Sequence, residues 1–150
     1  MDQINLENIC SKIEADIGIQ CETYNEILNE NTICVPSDQL RLVIDVLRTQ
    51  FDYNHLTAIT AQQREGRRDK IEILYHFWNG DSLSLQVMLN AKSPKISSII
   101  SMIPGADFYE REAAEMFGIE FTGRTETPPL LLPEDWAAGP PLFRSEERDA

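Results

Sequence analysis

Apolar residues recur along this chain with two periods, and the switches between them mark its elements. Ile4, Ile9, Ile13 and Ile17 fall at helical spacing, with Leu6 and Cys10 beside them. Asp2 stands where a cap would, so a first helix is predicted from about Gln3 to Asp16, stopped near Gly18. Ile19 to Leu28 and Thr32 to Val35 read as two short strands, joined as a hairpin through the polar Asn29-Glu30-Asn31. Pro36 breaks the second strand. Ser37 is placed to cap a second helix, whose stripe of Leu40, Val43, Ile44 and Leu47 repeats at i, i+3, i+4 and i+7.

Alternation then takes over. Leu56 to Gln62 is a strand, and Gln63 to Lys70 a polar turn. Ile71 to Trp78 is the clearest strand, with Ile71, Ile73, Tyr75 and Phe77 on one face and Glu72, Leu74, His76 and Trp78 on the other. Asn79-Gly80 predicts a tight type I′ hairpin turn. Leu83, Leu85, Val87 and Leu89 alternate with Ser84, Gln86 and Met88 on the return, so the second face of this hairpin is mixed and partly covered. Ser93-Pro94 opens a predicted third helix with proline at its first position and Ile96, Ile99, Ile100 and Ile103 as its stripe.

The segment from Pro104 to Gly123 organises the rest. A Pro-Gly turn leads to Asp107, a candidate cap, with Glu110 placed to complete a capping box. Gly118 stands where a left-handed residue ends a helix. About ten residues, Phe108 to Phe117, are then helical, roughly 15 Å of helix that must borrow stability from packing. Tyr109, Ala113, Met116 and Phe117 form its apolar face. Arg111, Glu112 and Glu115 lie opposite with Phe108 among them. An aromatic amid charges reads either as an incidental surface residue or as part of a second face buried against another protein. Ile119 to Thr122 is a last short strand.

After Gly123 the composition changes. Pro128, Pro129, Pro133, Pro140 and Pro141 leave little room for regular structure, yet Leu130 to Leu132 and Trp136 are strongly apolar. Such a tail packs on its own domain or lies across a partner, and the partner is the expectation favoured here. The predicted organisation is thus one α+β domain over residues 1–123 and a proline-rich extended C-terminal arm over 124–150. The order is α-β-β-α-β-β-β-α-α-β, a two-layer arrangement with helices on one face of a mixed or largely antiparallel sheet.

Composition narrows function. The 150 residues carry a net charge of −12, which argues against nucleic acid or anionic lipid as partner and suits docking on a basic protein surface. The three cysteines, Cys10, Cys21 and Cys34, are widely spaced, form no CxxC or Cys/His cluster, and read as separate thiols in a reducing cytoplasm. The start of the chain lacks a basic, apolar signal pattern, and no apolar run reaches the roughly 20 residues of a membrane span. Arg64, Arg67 and Arg68 crowd one turn without a glycine cradle or helix N-terminus, which favours a solvated loop over a phosphate site. Glu112 and Glu115 could share a cation. Against this, Arg111 would neutralise them, and neither His55 nor His76 is spaced to join them. His76 reads as an ordinary half-buried strand histidine.

The run Tyr109-Glu110-Arg111-Glu112, then Glu115-Met116-Phe117-Gly118-Ile119 and Leu132-Pro133-Glu134-Asp135-Trp136, resembles the signature of one family. It is the smaller, cofactor-free hydrophilic-arm subunit of respiratory complex I (the NuoC type), which also serves deazaflavin-dependent dehydrogenases and membrane-bound hydrogenases. The likeness is best from about Ile71 to Trp136. It departs at Gly123-Arg124-Thr125, where the family commonly has Gly-His-Pro, and at Pro128-Pro129, where it has an arginine pair. The closing His-Pro-Leu-Arg run is present only in part, as Pro141-Leu142-Phe143-Arg144. These departures fit an ordinary bacterial NADH:quinone complex I less well and leave room for an archaeal or hydrogenase-like relative.

The resemblance implies a protein with no catalytic residue, cofactor or metal of its own. It would dock on the large hydrogenase-like subunit and on adjacent iron–sulfur subunits, which would carry the iron–sulfur clusters and flavin. It would be peripheral on the cytoplasmic face of the membrane without inserting into it. The expected partner interface is Phe108, Glu110, Arg111, Glu112, Glu115, Phe117, Leu132, Pro133, Glu134, Asp135 and Trp136, with Arg111 ordering Glu112 and Glu115. The alternative from the residues alone is a small carboxylate-site metal-binding protein or enzyme.

Overall fold

The computed structural model describes residues 6–24 and 31–145. Asp2, Ile4, the hairpin link Asn29-Glu30 and the last five residues lie outside them. Helix α1 (Leu6–Ile17) is followed by strands β1 (Glu22–Tyr24) and β2 (Asn31–Cys34), and then by helix α2 (Leu40–Phe51). Strands β3 (His55–Gln62), β4 (Lys70–Trp78), β5 (Ser82–Asn90) and β6 (Lys95–Ser97) precede helix α3 (Asp107–Phe117) and strand β7 (Glu120–Thr122). Five strands form one mixed sheet in the order β1-β2-β5-β4-β3, in which β2 and β5 run parallel and the other neighbours antiparallel.

The alternation read from β4 and β5 sets the core. Tyr75 pairs with Leu85, Phe77 with Leu83 and Ile73 with Val87, so one face of the hairpin is wholly apolar, and all six residues are buried. Ile9 and Ile13 of α1 and Val43, Ile44 and Leu47 of α2 close over that face in one continuous cluster. At about 25 cal/mol per Å² of apolar surface removed from water, this burial is the main term holding the layers together.

The other face is mixed, with Trp78 and Met88 exposed and a closely satisfied polar network around Glu72. Glu72 is 2% exposed. It accepts from Arg64 Nε at 2.6 Å and Nη2 at 3.0 Å and from Gln62 at 3.1 Å, and Gln86 also donates to it. Burial acts to raise the Glu72 carboxyl, but the Arg64 guanidinium and the two amides outweigh it and hold it below the usual carboxylate range. Arg64 of the arginine-rich turn therefore belongs to this network. His76, half-buried as expected, lies 2.7 Å from Ser84 Oγ and 3.1 Å from Thr60 Oγ1.

Several local expectations change. The predicted third helix is absent: its residues form β6 and a turn, and the short 3-10 segment Pro104–Ala106 follows it. Lys95–Ser97 pairs in parallel with Glu120–Thr122, with flanking bonds from Glu120 N to Pro94 O at 2.8 Å and Ser98 N to Thr122 O at 2.8 Å. The isoleucine stripe suits either state, and β-branched side chains fit a strand better. Ile96, Ile99 and Ile103 are buried regardless. The Asn79-Gly80 turn closes over Asn79, Gly80 and Asp81, with Trp78 paired to Ser82. Gly80 has φ +100, whereas Asn79 is not left-handed, so the turn is not type I′. Ser37 begins a 3-10 turn ahead of α2 and does not cap the helix with its side chain.

Candidate functional site

Helix α3 begins without a side-chain cap. Its first turn is spent on tertiary bonds. Glu110, expected to reach back to Asp107, is instead 0% exposed and accepts from Ser98 Oγ at 2.6 Å and from Ile99 N at 2.8 Å. Arg124, just past β7, completes its shell at 2.9 Å and also binds Asp107. The Glu110–Arg124 pair thereby ties the end of β6, helix α3 and the exit of β7 to one point. In the sequence, Arg124 stands out only as a departure from the family pattern. Its pairing depends on a long-range approach that no local pattern encodes.

Arg111 is ion-paired at i,i+4 with Asp107, at 3.7 Å, and acts on Glu115 through its charge. It also donates to Pro128 O at 3.0 Å and lies 5.8 Å from the centroid of the Phe108 ring. That is within cation–π range. Glu115 is taken by the tail: its carboxylate accepts from Leu130 N, from Leu131 N at 2.8 Å and from Leu132 N at 3.2 Å. Desolvation works against the charge on Glu115, but those three successive amides and Arg111 keep its carboxyl below the ordinary value. With both oxygens so used, the Glu112–Glu115 cation site is not assembled. Among the described residues no group of three or more His, Cys, Asp or Glu could hold a metal.

From Arg124 to Ser145 there is no helix or strand. The segment does not stand off as an extended arm. It is a strap returned over its own domain. Beyond the Glu115 anchor, Leu142 N donates to Met116 O at 2.9 Å. The Gln63 amide meets the Arg144 backbone from both sides, accepting from its N–H at 2.7 Å and donating to its carbonyl at 3.1 Å. Gly118 ends α3 with φ +73 and an N–H bond to Ala114 O, as its position predicted. A Cβ there would lie 2.9 Å from Pro140 Cγ, so only glycine lets the strap pass this close. Between helix and strap a cavity of about 220 Å³ is lined by Glu110, Arg111, Ala114, Glu115, Arg124 and Pro128 among others.

The expected interface residues thus separate. Glu110 and Phe117 are buried in the chain's own core, Glu115 and Arg111 hold the strap, and Leu132 is half-buried. Glu112, Pro133, Glu134 and Asp135 face solvent. Large apolar side chains remain uncovered on the helix and strap: Phe108 is 62% exposed, Leu131 57%, Leu142 54% and Trp136 44%. Leu131 and Leu142 add to the apolar set beyond the expected interface residues.

Comparison with known proteins covers most of this framework. The family model described as the respiratory-chain NADH dehydrogenase 30 Kd subunit matches residues 33–148. The C subunit of NADH-quinone oxidoreductase from Roseiflexus castenholzii is 34% identical over 106 residues, covering 65% of this chain and 61% of that protein. The chain therefore spans about three fifths of that relative's length. The C subunit of F(420)H(2) dehydrogenase from Methanosarcina mazei is 33% identical over 116 residues, with 75% of this chain and 73% of that protein covered. In fold, the chain resembles the trypsin-resistant fragment of Nqo5, with a TM-score of 0.68 at 18% identity over 81% of this chain and 98% of the fragment. It also resembles a chain of an archaeal membrane-bound sulfane sulfur reductase, with a TM-score of 0.70 at 20% identity over 91% and 81% of the two chains.

Proposed function

This chain belongs to the family of the respiratory-chain NADH dehydrogenase 30 kDa subunit, and we propose that it serves as the cofactor-free NuoC-type member of a membrane-associated, ion-translocating complex. In this reading it performs no electron transfer itself. It docks on the large hydrogenase-like subunit beside the quinone or acceptor site and holds it in place. Neighbouring iron–sulfur subunits carry the iron–sulfur clusters and flavin. Among its described residues no helix is long and apolar enough to cross a membrane. The complex would hold it peripherally on the cytoplasmic side.

The observation that carries the proposal is the uncovered apolar set on one helix and the strap laid beside it. Phe108 on α3 and Leu131, Trp136 and Leu142 on the strap each leave roughly half their surface in water. Exposed apolar side chains on one helix and on the segment bonded to it are what an interaction surface would use. Glu112, Glu134 and Asp135 on the same helix and strap are exposed, which with the net charge of −12 suits a basic partner face.

The test is pull-down with the tagged large subunit. The double variant Phe108→Asp with Trp136→Asp is expected to lose the partner while staying folded, because both side chains are largely exposed and give up only the Arg111 contact and the Trp136 bond to Gly139 O. Recovery of the complex at wild-type yield overturns the assigned face.

A further inference from the structure

The two cysteines that the sequence separates are brought into contact. Helix α1 ends at Ile17, and Gly18 follows in the left-handed region with φ +79, its N–H bonded to Glu14 O at 3.0 Å. The chain therefore reverses and runs back along the face of α1 that carries Cys10 and Glu14, four residues apart and so one above the other. Glu14 receives the returning backbone, its carboxylate accepting from Cys21 N at 3.1 Å. This places Cys21 Sγ 2.7 Å from Cys10 Sγ. The separation is only about 0.7 Å more than a formed S–S bond. Both residues are half-buried, within reach of a small reagent.

We propose that Cys10 and Cys21 form a reversible dithiol–disulfide pair, closed by a hydroperoxide and reopened by an external dithiol. Cys21 donates its S–H toward Cys10, so Cys10 is the sulfur poised to attack. Its thiolate displaces at the terminal peroxide oxygen: an S–O bond forms, the O–O bond breaks, and the departing oxygen takes a proton as alcohol or water. Cys21 sulfur then attacks Cys10 sulfur. The S–S bond forms, the S–O bond breaks, and hydroxide leaves as water with the Cys21 proton. The two thiols lose two electrons and two protons, and the peroxide gains them. Cys34 lies close by, paired across the sheet with Glu22, but its thiol is engaged, donating to Gln86 Oε1 at 2.8 Å. Burial, with Glu14 adding its negative charge, raises both thiols. The first step is therefore slow near neutral pH and accelerates as pH rises.

The full-length chain is treated with hydrogen peroxide at pH 7 and pH 9, and its intact mass is measured together with the peptides from trypsin followed by cleavage after glutamate, which separates Cys21 from Cys34 at Glu22, Glu26 and Glu30. A loss of about 2 Da, carried by one cross-linked Cys10–Cys21 peptide, is expected. It should form faster at pH 9, be reversed by dithiothreitol, and accompany a thermal midpoint raised by a few degrees, since the closed loop is short. Cys34→Ser should behave as wild type, whereas Cys10→Ser and Cys21→Ser should not cross-link. An unchanged mass, oxygen addition without cross-linking, or a bridge to Cys34 overturns the pair.

Discussion

The guanidinium of Arg124 lies 2.9 Å from the carboxylate of Glu110, and Glu110 has no exposed surface. Ser98 and Ile99 at the end of β6 supply the other bonds to that carboxylate. One buried charge thus ties two segments distant in sequence to the start of α3. Among the described residues Arg124 is the cation paired with it, and Arg124→Ala removes that partner. Leaving a buried charge unpaired costs about 3–5 kcal/mol. Urea unfolding should show a loss in that range. An unchanged midpoint would mean that Glu110 finds another partner.

Truncation should depend sharply on where the chain is cut. Ending the chain after Thr122 deletes Arg124 and exposes the domain to the same penalty. Ending it after Thr127 keeps Arg124 and removes the strap. The longer form is expected to stay folded, with partner binding lost, and the shorter to unfold at markedly lower urea. Equal stability of the two forms, measured by circular dichroism, would count against the assigned role of Arg124.

Gly118→Ala meets two obstacles at one site. The backbone is left-handed at φ +73, and the new methyl would stand 2.9 Å from Pro140 Cγ. The conformational cost alone is about 1–2 kcal/mol. The strap should also lift at Pro140. Limited proteolysis between Gly123 and Ser145 is expected to quicken well beyond what the change in global stability explains.

Acid should loosen the strap at its Glu115 anchor. The folded carboxyl lies below its ordinary value of 4.5. The group therefore contributes stability that is full above that value and is lost as pH falls through the lower, folded one. Hydrogen exchange at the amides of Leu130, Leu131 and Leu132 should show weakened protection as pH drops below about 4.5, after correction for intrinsic rates. Glu115→Gln should show the same weakening already at neutral pH. Protection that is unchanged in the variant would dissociate the anchor from the charge.

Arg111 joins Asp107, Phe108 and the strap carbonyl of Pro128 while remaining near the surface. Arg111→Ala is expected to cost folding only about 1 kcal/mol, the scale of partly exposed contacts. Recovery of the assembled complex should fall much further. Normal assembly yield in the variant would remove Arg111 from any role at the interface.

The periodic signals were sufficient for most of the framework. Strict alternation from Ile71 to Leu89 specified the buried face of the central hairpin, because strand side chains repeat every two residues and only one face can be dry. The stripe of Leu40, Val43, Ile44 and Leu47 specified α2, and Gly118 marked the end of α3. The isoleucine stripe from Ile96 to Ile103 misled because spacing alone does not decide which partner claims the backbone. The strand β7, more than twenty residues later, decides it. The ordered run around Glu110 and Trp136 was enough to place the chain in its family.

Local period and ordered motif were therefore enough for the apolar faces, the class of fold and the family. Where the charges and thiols go was settled only when the chain closed on itself. Glu110 turns inward to Arg124, Glu115 is taken by the strap, and Cys21 arrives beside Cys10. Each of these depends on chain segments meeting at ångström distances after the core has formed. Electrostatic and sulfur chemistry act at that range, and hydrophobic periodicity does not encode it.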